Sequence, residues 1–213
     1  MKARTIPILA LALAILAALV LYIRHLPATA QEAGAAGQPP SKPVEYVGGP
    51  DAFGKNLIVV FSLTGNTLKL GKLIQSHTGG DIFQIETTTD YPTGDDLIPF
   101  AKAQRENNQP VAFKAQLPDI SGYETIFFGT PAWFHDIPYP VSVFLKETGF
   151  GGKRVIPFVT SGGGPGDIVQ SFYAAIKDGS VDEALLISRY SAKPQAEIDN
   201  AVNTWLNGLA TKQ

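Results

Sequence analysis

Hydroxyl and amide side chains crowd around one glycine in the stretch S-L-T-G-N-T, residues Ser62–Thr67. The stretch follows the apolar run Leu57–Phe61 and precedes residues with helical spacing. A helix that begins there presents unpaired N–H groups and the positive end of its dipole, which together suit an anion. The neutral donors beside Gly65, whose backbone can approach a ligand closely, are Ser62, Thr64, Asn66 and Thr67. We therefore favour a phosphate site over simple capping of the helix by Thr64 or Asn66.

The composition of this stretch also narrows the kind of phosphate. It contains no lysine and does not match G-x-x-x-x-G-K-[ST], which argues against a nucleoside triphosphate. It does not match G-x-G-x-x-G either, which disfavours the pyrophosphate of a dinucleotide. Neutral donors around one pocket therefore predict a terminal phosphate monoester.

A second loop, Gly129–Pro140, carries aromatic side chains between prolines in the sequence G-T-P-A-W-F-H-D-I-P-Y-P. Trp133, Phe134 and Tyr139 could stack on a planar ring, and packing of the loop onto the domain is the alternative for each of them. His135 could donate a hydrogen bond to a substrate or to such a ring, and a solvated loop histidine is the alternative. The loop predicts a stacking surface.

A third loop, Thr160–Asp167, reads T-S-G-G-G-P-G-D. Its glycines let the main chain run close to a flat ligand and offer N–H donors, with a flexible turn as the alternative. Together the three loops describe a phosphate, a stacking surface and a backbone wall. Flavin mononucleotide (FMN) has a part that matches each of them.

The elements that must position these loops form an alternating α/β pattern from Asn56 onward. A continuous apolar run predicts a strand at 57–61, and further strands are predicted at 81–86, 125–129, 155–159 and 184–187. Helical spacing follows at 68–74, 96–106, 141–145, 168–176 and from about Pro194 to the apolar stripe that ends at Leu209. This alternation predicts a parallel sheet covered on both faces, with the loops after strands one, three and four at its carboxyl edge.

In the same order, three segments resemble motifs of the flavodoxin family, in particular of the flavodoxin-like FMN oxidoreductases. V-V-F-S-L-T-G-N-T resembles the family's phosphate loop, S-x-T-G-N-T. G-T-P-A-W-F-H-D-I-P-Y-P-V-S-V-F-L resembles its G-x-P-x-W-W segment, and I-P-F-V-T-S-G-G-G-P-G-D its T-x-G-G-x-x-G segment. The resemblance extends from Asn56 to about Leu209. It implies a three-layer flavodoxin-like sandwich, a five-stranded parallel sheet of order 2-1-3-4-5, and noncovalent FMN.

The resemblance also implies which residues contact the cofactor. It carries phosphate binding to Ser62, Thr64, Gly65, Asn66 and Thr67. It carries contacts with the flavin ring to Pro131, Ala132, Trp133, Phe134, Ser161, Gly162 and Gly163. Two departures stand out: Phe134 replaces a second tryptophan that is common in the family, and the chain lacks the strong acidity of electron-shuttling flavodoxins.

Composition excludes several other classes of site. The 213 residues include no cysteine, so a disulfide framework, a thiolate metal site and a cysteine nucleophile are excluded. The three histidines are far apart and match no zinc spacing. Basic residues number 17 and acidic residues 19, without a basic cluster, so nothing indicates a nucleic-acid partner.

The N-terminal sequence has the features of a targeting signal or of a membrane anchor. Ile6–Ile23 is a run of eighteen residues without a charge, preceded by Lys2 and Arg4. As a helix it would be about 27 Å long, close to the ~30 Å of a bilayer core, and the positive-inside rule then places the domain outside the cytoplasm. An A-x-A-like cleavage site follows at Ala28–Ala30. We expect a signal peptide or a signal-anchor helix over 1–30, a linker over 31–54 and the FMN-binding domain over 55–213.

These features predict an exported or membrane-anchored redox protein in which the bound flavin does the chemistry and no side chain acts as nucleophile or base. One role is an electron carrier fed by a membrane donor or a partner protein. The other is an NAD(P)H-dependent reductase of a quinone-like substrate. A third reading, a fold without flavin that serves as a binding or scaffold module, also stays open.

Overall fold

The computed structural model describes residues 42–211, in which strands and helices alternate. The strands are β1 Asn56–Phe61, β2 Asp81–Ile85, β3 Thr125–Pro131, β4 Arg154–Ser161, β5 Ser180–Val181 and β6 Leu185–Ser188. The helices are α1 Asn66–Thr78, α2 Leu97–Glu106, α3 Tyr139–Glu147, α4 Ile168–Ala175 and α5 Gln195–Ala210. The hydrophobic run predicted as a signal peptide or anchor lies outside the described residues. Among the described residues, no helix is both long and apolar enough to cross a membrane.

All strand pairs are parallel, and the sheet order is β2-β1-β3-β4-β5, which confirms the predicted order 2-1-3-4-5. Side chains of β1 alternate between two separate core clusters. Leu57, Val59 and Phe61 pack on the side of α2, α3 and α4, whereas Ile58 and Val60 pack on the side of α1 and α5. Because both faces of the central strands are covered, these strands appear in the sequence as continuous apolar runs.

The fifth strand position differs from the single strand predicted at 184–187, because two short strands, β5 and β6, pair with separate parts of β4. The carbonyl of Val155 accepts from Asp182 N–H at 2.9 Å, and that of Ser161 accepts from Arg189 N–H at 2.7 Å. Backbone N–H and C=O groups alternate in direction along a strand, so the backbone of Pro157, like that of Val155 and Ser161, faces the position that β5 and β6 occupy. Proline has no N–H to donate, and the interruption lies opposite it.

A segment before the sheet, Pro43–Val47, runs along α5 and is called here the N-terminal strap. Three asparagines of α5 bind its backbone. Val44 N–H donates to Asn200 Oδ1 at 2.8 Å, and Asn203 Nδ2 donates to the carbonyl of Val44 at 2.7 Å. Asn207 makes two more bonds to the strap, at 2.8 and 3.0 Å. The strap is therefore a docked part of the domain.

The compact unit that the structure describes includes residues that precede the sheet. The compact unit starts at Pro43, inside the segment predicted as a linker over 31–54. Phe53 is buried in the core on the α1 and α5 side, where its ring contacts Phe127 edge-on at 5.1 Å between centroids. Tyr46 packs on the same cluster. The low apolar content of this segment gave no signal of the buried Phe53 and the partly buried Tyr46.

Candidate functional site

Four loops meet at the carboxyl edge of the sheet, as the sequence predicts for three of them. The ends of neighbouring strands lie side by side: Val60 of β1 pairs with Gly129, Pro131 of β3 pairs with Thr160, and Ser161 of β4 pairs with the last residue of β6. The loops after β1, β3 and β4 therefore follow one another along this edge. The fourth, after β6, had no recognised motif.

The loop after β1 ends in an open helix N-terminus. Gly65 is the N-cap of α1 with φ 85° and ψ −9°, and the N-cap residue makes no side-chain hydrogen bond to the helix. Capping by Thr64 or Asn66, the alternative considered from the sequence, does not occur. Lys69 N–H closes the first turn on the Gly65 carbonyl at 2.9 Å, and a Cβ added to Gly65 would meet no atom within 4 Å. No hydrogen bond within residues 42–211 occupies the N–H groups of Asn66 and Thr67, whereas that of Leu68 donates to Ser62 Oγ.

The side chains of this loop that were predicted to donate to a phosphate differ in whether they already have a hydrogen-bond partner. Ser62 Oγ accepts from the N–H of Leu68 at 3.2 Å. Thr67 Oγ1 lies 2.8 Å from Thr160 Oγ1, and both residues are buried. Thr64 is exposed and makes no side-chain hydrogen bond within residues 42–211. The available donors are therefore the Thr64 hydroxyl and the backbone N–H groups, while Ser62 and Thr67 shape the loop.

The loop after β3 begins with a tight two-residue turn. Trp133 and Asp136 exchange two backbone hydrogen bonds, each of 3.0 Å, around Phe134 and His135. Both central residues have positive φ, 53° and 63°, which is the geometry of a type I′ turn. Such turns favour asparagine and glycine, and other residues cost about 1–2 kcal/mol each in this conformation. Strain of this kind is typical of functional sites.

Asp136 fixes this turn to two helices. Its Oδ2 accepts from Arg105 Nη1 of α2 at 2.7 Å, and its Oδ1 accepts from Ile137 N–H at 2.7 Å and from the Ser171 hydroxyl of α4. Burial alone would raise the pKa of Asp136, but the hydrogen bonds from Ser171, Ile137 and Arg105 hold that pKa below its ordinary value. The carboxylate therefore stays ionised and anchors the turn. Sequence reasoning missed this cluster because its members are far apart in the chain.

Trp133, predicted to stack on a ring, is part of the core as well as of the site. Only 8% of its surface is exposed, and its ring lies 5.6 Å from Phe61 and 5.3 Å from Tyr91 between centroids. Burial raises the pKa of Tyr91, whose hydroxyl donates to Gln104 Oε1 at 2.6 Å. Trp133 is thus held in place by aromatic neighbours.

A cavity of about 600 Å³ lies between the start of α2, the turn after β3 and the glycine run after β4. Its lining is mostly apolar and brings together Ala132, Trp133, Phe134, His135, Ser161, Gly162 and Gly163. The volume lies within the roughly 300–1,000 Å³ usual for small-molecule sites. Leu97 and Ile98 form a further wall that sequence reasoning did not identify. Of the ring-side residues predicted, Pro131 does not line this cavity.

The glycine run faces the cavity, and packing does not require glycine at its positions. A Cβ added to Gly162, Gly163 or Gly164 would meet no atom within 4 Å. At Gly129, by contrast, an added Cβ would collide with the ring of Phe158. Gly129 is therefore required by packing, whereas the run offers a bare backbone surface to whatever enters the cavity.

The glycine loop is held at both ends. At its start, Ser161 Oγ donates to the Gly163 carbonyl at 2.6 Å. At its end, Gly166 has φ 63° and lies so close to His135 that a Cβ would not fit, and Asp167 N–H donates to the His135 carbonyl at 3.0 Å. The turn after β3 and the glycine loop thus form one connected wall.

Comparisons with known proteins agree with this architecture. The sequence profile of the family described as Flavodoxin matches residues 55–178. A flavoprotein of Lactobacillus acidophilus, solved in complex with FMN, is 21% identical with a TM-score of 0.54, and the match covers 62% of this chain and 92% of that one. No protein with a curated description matches the chain.

Two proteins of Bacteroides species, solved as candidate flavoproteins, have a similar fold. The one from Bacteroides eggerthii is 24% identical with a TM-score of 0.60, over 73% of this chain and 98% of that one. The one from Bacteroides uniformis is 25% identical with a TM-score of 0.58, over 72% and 98%. At these identities the likeness establishes the fold.

Proposed function

The chain belongs to the flavodoxin family, and from that membership we propose that it is an FMN-binding redox protein. One observation carries the proposal: an open helix N-terminus and an apolar cavity with a bare glycine wall lie at the same sheet edge. The uncapped Gly65 and the glycine run have empty space in front of them, so neither is explained by packing. A phosphate group joined to a flat ring system accounts for both.

The phosphate of FMN would be held by backbone N–H groups of Gly65, Asn66 and Thr67 and by the exposed hydroxyl of Thr64. The positive end of the α1 dipole favours an anion there, with an effect equivalent to about half a unit charge. The buried hydrogen bond between Thr67 and Thr160 fixes the position of the first turn of α1 relative to the end of β4. This arrangement suits a monoester, because the loop itself contains no lysine.

The flavin ring would occupy the cavity between the turn and the glycine run. Trp133 and Phe134 would line one side, and backbone N–H groups of Gly162 and Gly163 would donate to polar atoms of the ring edge. When bound, FMN supplies one- and two-electron transfer. The residues of this chain bind it, orient it and, through the apolar lining, exclude water.

The rim of the cavity favours an apolar electron acceptor or donor. Ile98 and Phe134 flank the mouth and are 58% and 43% exposed, which is high for large apolar side chains. Such a rim favours contact with a quinone-like ring over a charged partner. Both the carrier role and the reductase role use this surface. The proposed location, exported or membrane-anchored outside the cytoplasm, rests on the sequence of Ile6–Ile23.

Titration of the full-length chain in detergent with FMN tests the proposal. We expect saturable binding with a changed visible spectrum and quenched flavin fluorescence. Gly163→Leu, which fills the cavity, should weaken binding more than about tenfold, because the ring and a side chain cannot share that space. Gly208→Leu is the matched control, since Gly208 also has open space around it but lies on α5. No saturable binding at micromolar FMN would overturn the proposal and favour the flavin-free scaffold.

The same preparation separates the two redox roles. If NADPH bleaches the bound flavin and a soluble quinone restores its colour over many cycles, the chain is a reductase. If NADPH has no effect and only a membrane fraction reduces the flavin, it is a carrier fed by a membrane donor.

A further inference from the structure

The segment after β6, Ser188–Ser191, is a fourth component of the sheet edge that contains the candidate site. Arg189 N–H donates to the Ser161 carbonyl at 2.7 Å, and Ser188 Oγ lies 3.2 Å from Ser161 Oγ. Ser191 Oγ accepts from Asn66 Nδ2, in the first turn of α1, at 3.1 Å. The backbone of Arg189 is therefore held between the glycine loop on one side and the phosphate loop on the other.

Lys69, in the first turn of α1, is an exposed cation without an ion pair among the described residues, and Arg189 is a second one at this edge of the sheet. Arg189 too is exposed and forms no ion pair with any residue in the described part of the chain. Arg105 pairs with Asp136, Arg154 pairs with Asp182, and Lys193, four positions further on, pairs with Glu197. A positive charge thus remains uncompensated beside a loop that would bind a phosphate monoester but contains no cation of its own.

The backbone of Arg189 is in the left-handed region, with φ 52°. This conformation costs an ordinary side chain about 1–2 kcal/mol, and glycine can adopt it freely. Arginine at this position therefore needs a reason other than the turn. A conformation of this kind commonly persists where the side chain has a role in binding.

We propose that Arg189 supplies the positive charge that pairs with the FMN phosphate and makes the site select FMN over riboflavin. The inference rests on the proposed function. A guanidinium is well suited to this role because its N–H groups can donate in parallel to phosphate oxygens. The neutral loop after β1 then positions the monoester, and a residue remote in sequence compensates its charge.

Equilibrium titrations with FMN and with riboflavin test this, using the full chain in detergent. Arg189→Gln should weaken FMN about tenfold and riboflavin less than about twofold, since only FMN carries the phosphate. Arg189→Lys should retain most of the preference for FMN. Lys193→Gln, which removes a charge already paired with Glu197, is the matched control and should change neither affinity. Raising the salt concentration should reduce the FMN preference of the wild type more than that of Arg189→Gln.

Arg189→Gly separates a binding role from a structural one. It should lose the FMN preference while the Tm stays unchanged or rises by up to about 2–4 °C, because the strained side chain is gone. If Arg189→Gln weakens FMN and riboflavin equally, or if Lys69→Gln on α1 alone removes the preference, the inference is wrong. Absence of FMN binding by the wild-type chain would instead refute the proposed function itself.

Discussion

Thr67 Oγ1 and Thr160 Oγ1 lie 2.8 Å apart and are both almost fully buried, with 1% and 4% of the residue surface exposed. The pair joins the first turn of α1 to the end of β4, although the two threonines are 93 positions apart in the sequence. Thr67 ends the phosphate loop, and Thr160 opens the glycine loop. The two halves of the candidate site are therefore linked directly by one hydroxyl–hydroxyl bond.

Thr67→Val should lower the free energy of unfolding by about 1–2 kcal/mol, because it leaves the Thr160 hydroxyl buried without a partner. FMN affinity should fall as well, since the first turn of α1 is no longer fixed. The double variant Thr67→Val, Thr160→Val removes both hydroxyls and should recover most of the stability. Urea denaturation of the wild type, Thr67→Val, Thr160→Val and the double variant gives the coupling energy. Strictly additive losses would mean that the bond does not link the two loops.

Asp136 should make the free energy of unfolding depend on pH in the acidic range. Its pKa is lowered below the ordinary 3.8 in the folded chain, so its contribution is present above that value and is lost as the pH falls through it. We expect the unfolding free energy of the wild type to decline below about pH 4. Asp136→Asn should flatten this decline by about 1 kcal/mol, a modest amount because the carboxylate is partly solvated.

Urea titrations between pH 3 and 7 measure this dependence. Asp51→Asn, at the opposite end of the sheet, is the control and should follow the wild type. Identical slopes for the wild type and Asp136→Asn would contradict the anchoring role assigned to this carboxylate.

The turn at Phe134 and His135 stores strain that glycine would release. His135→Gly should raise the free energy of unfolding by about 1 kcal/mol, corresponding to about 2–4 °C in Tm. If His135 is a solvated loop residue, FMN affinity stays within about twofold of the wild type, whereas a larger loss shows that the imidazole contacts the ligand. Differential scanning calorimetry and flavin titration measure the two effects separately. A lower Tm would show that contacts of the His135 side chain outweigh its backbone strain.

The N-terminal strap should exchange its amide hydrogens slowly, and each asparagine should protect a different amide. Val44 N–H donates to Asn200 Oδ1, and Val47 N–H donates to Asn207 Oδ1. Asn200→Ala should therefore speed exchange at Val44, and Asn207→Ala at Val47, each at a cost of about 1 kcal/mol or less. Hydrogen-exchange NMR resolves the two amides. Fast exchange at both positions in the wild type would mean that the strap is not docked in solution.

Much of the fold was predictable because its signals are local. Strands covered on both faces must be apolar throughout, and Ile58 and Val60 belong to the same run as Leu57 and Val59 although they pack on opposite sides. The sheet order came from the resemblance to the flavodoxin family. The split of the fifth strand was not predicted, because it depends on which way Pro157 faces in a neighbouring strand.

The site was predictable only where its parts are contiguous in sequence. The phosphate loop and the glycine run are short motifs, and the structure brings them to one edge. The anchor of the turn has no such signal, since Arg105 and Ser171 lie 31 and 35 positions from Asp136. Stacking by Trp133 stays a prediction, whereas its packing against Phe61 and Tyr91, which come from other elements, had no signal in the sequence. Packing between distant segments decides these roles.

The interruption opposite Pro157 also shortens the edge strands of the sheet. A long free edge strand offers unpaired backbone groups to strands of other chains and promotes aggregation. Here the edge position beside β4 is divided into pieces of two and four residues. Neither piece is long enough to template an extended intermolecular sheet. A proline inside the sheet thus limits how much of the neighbouring edge is regular strand.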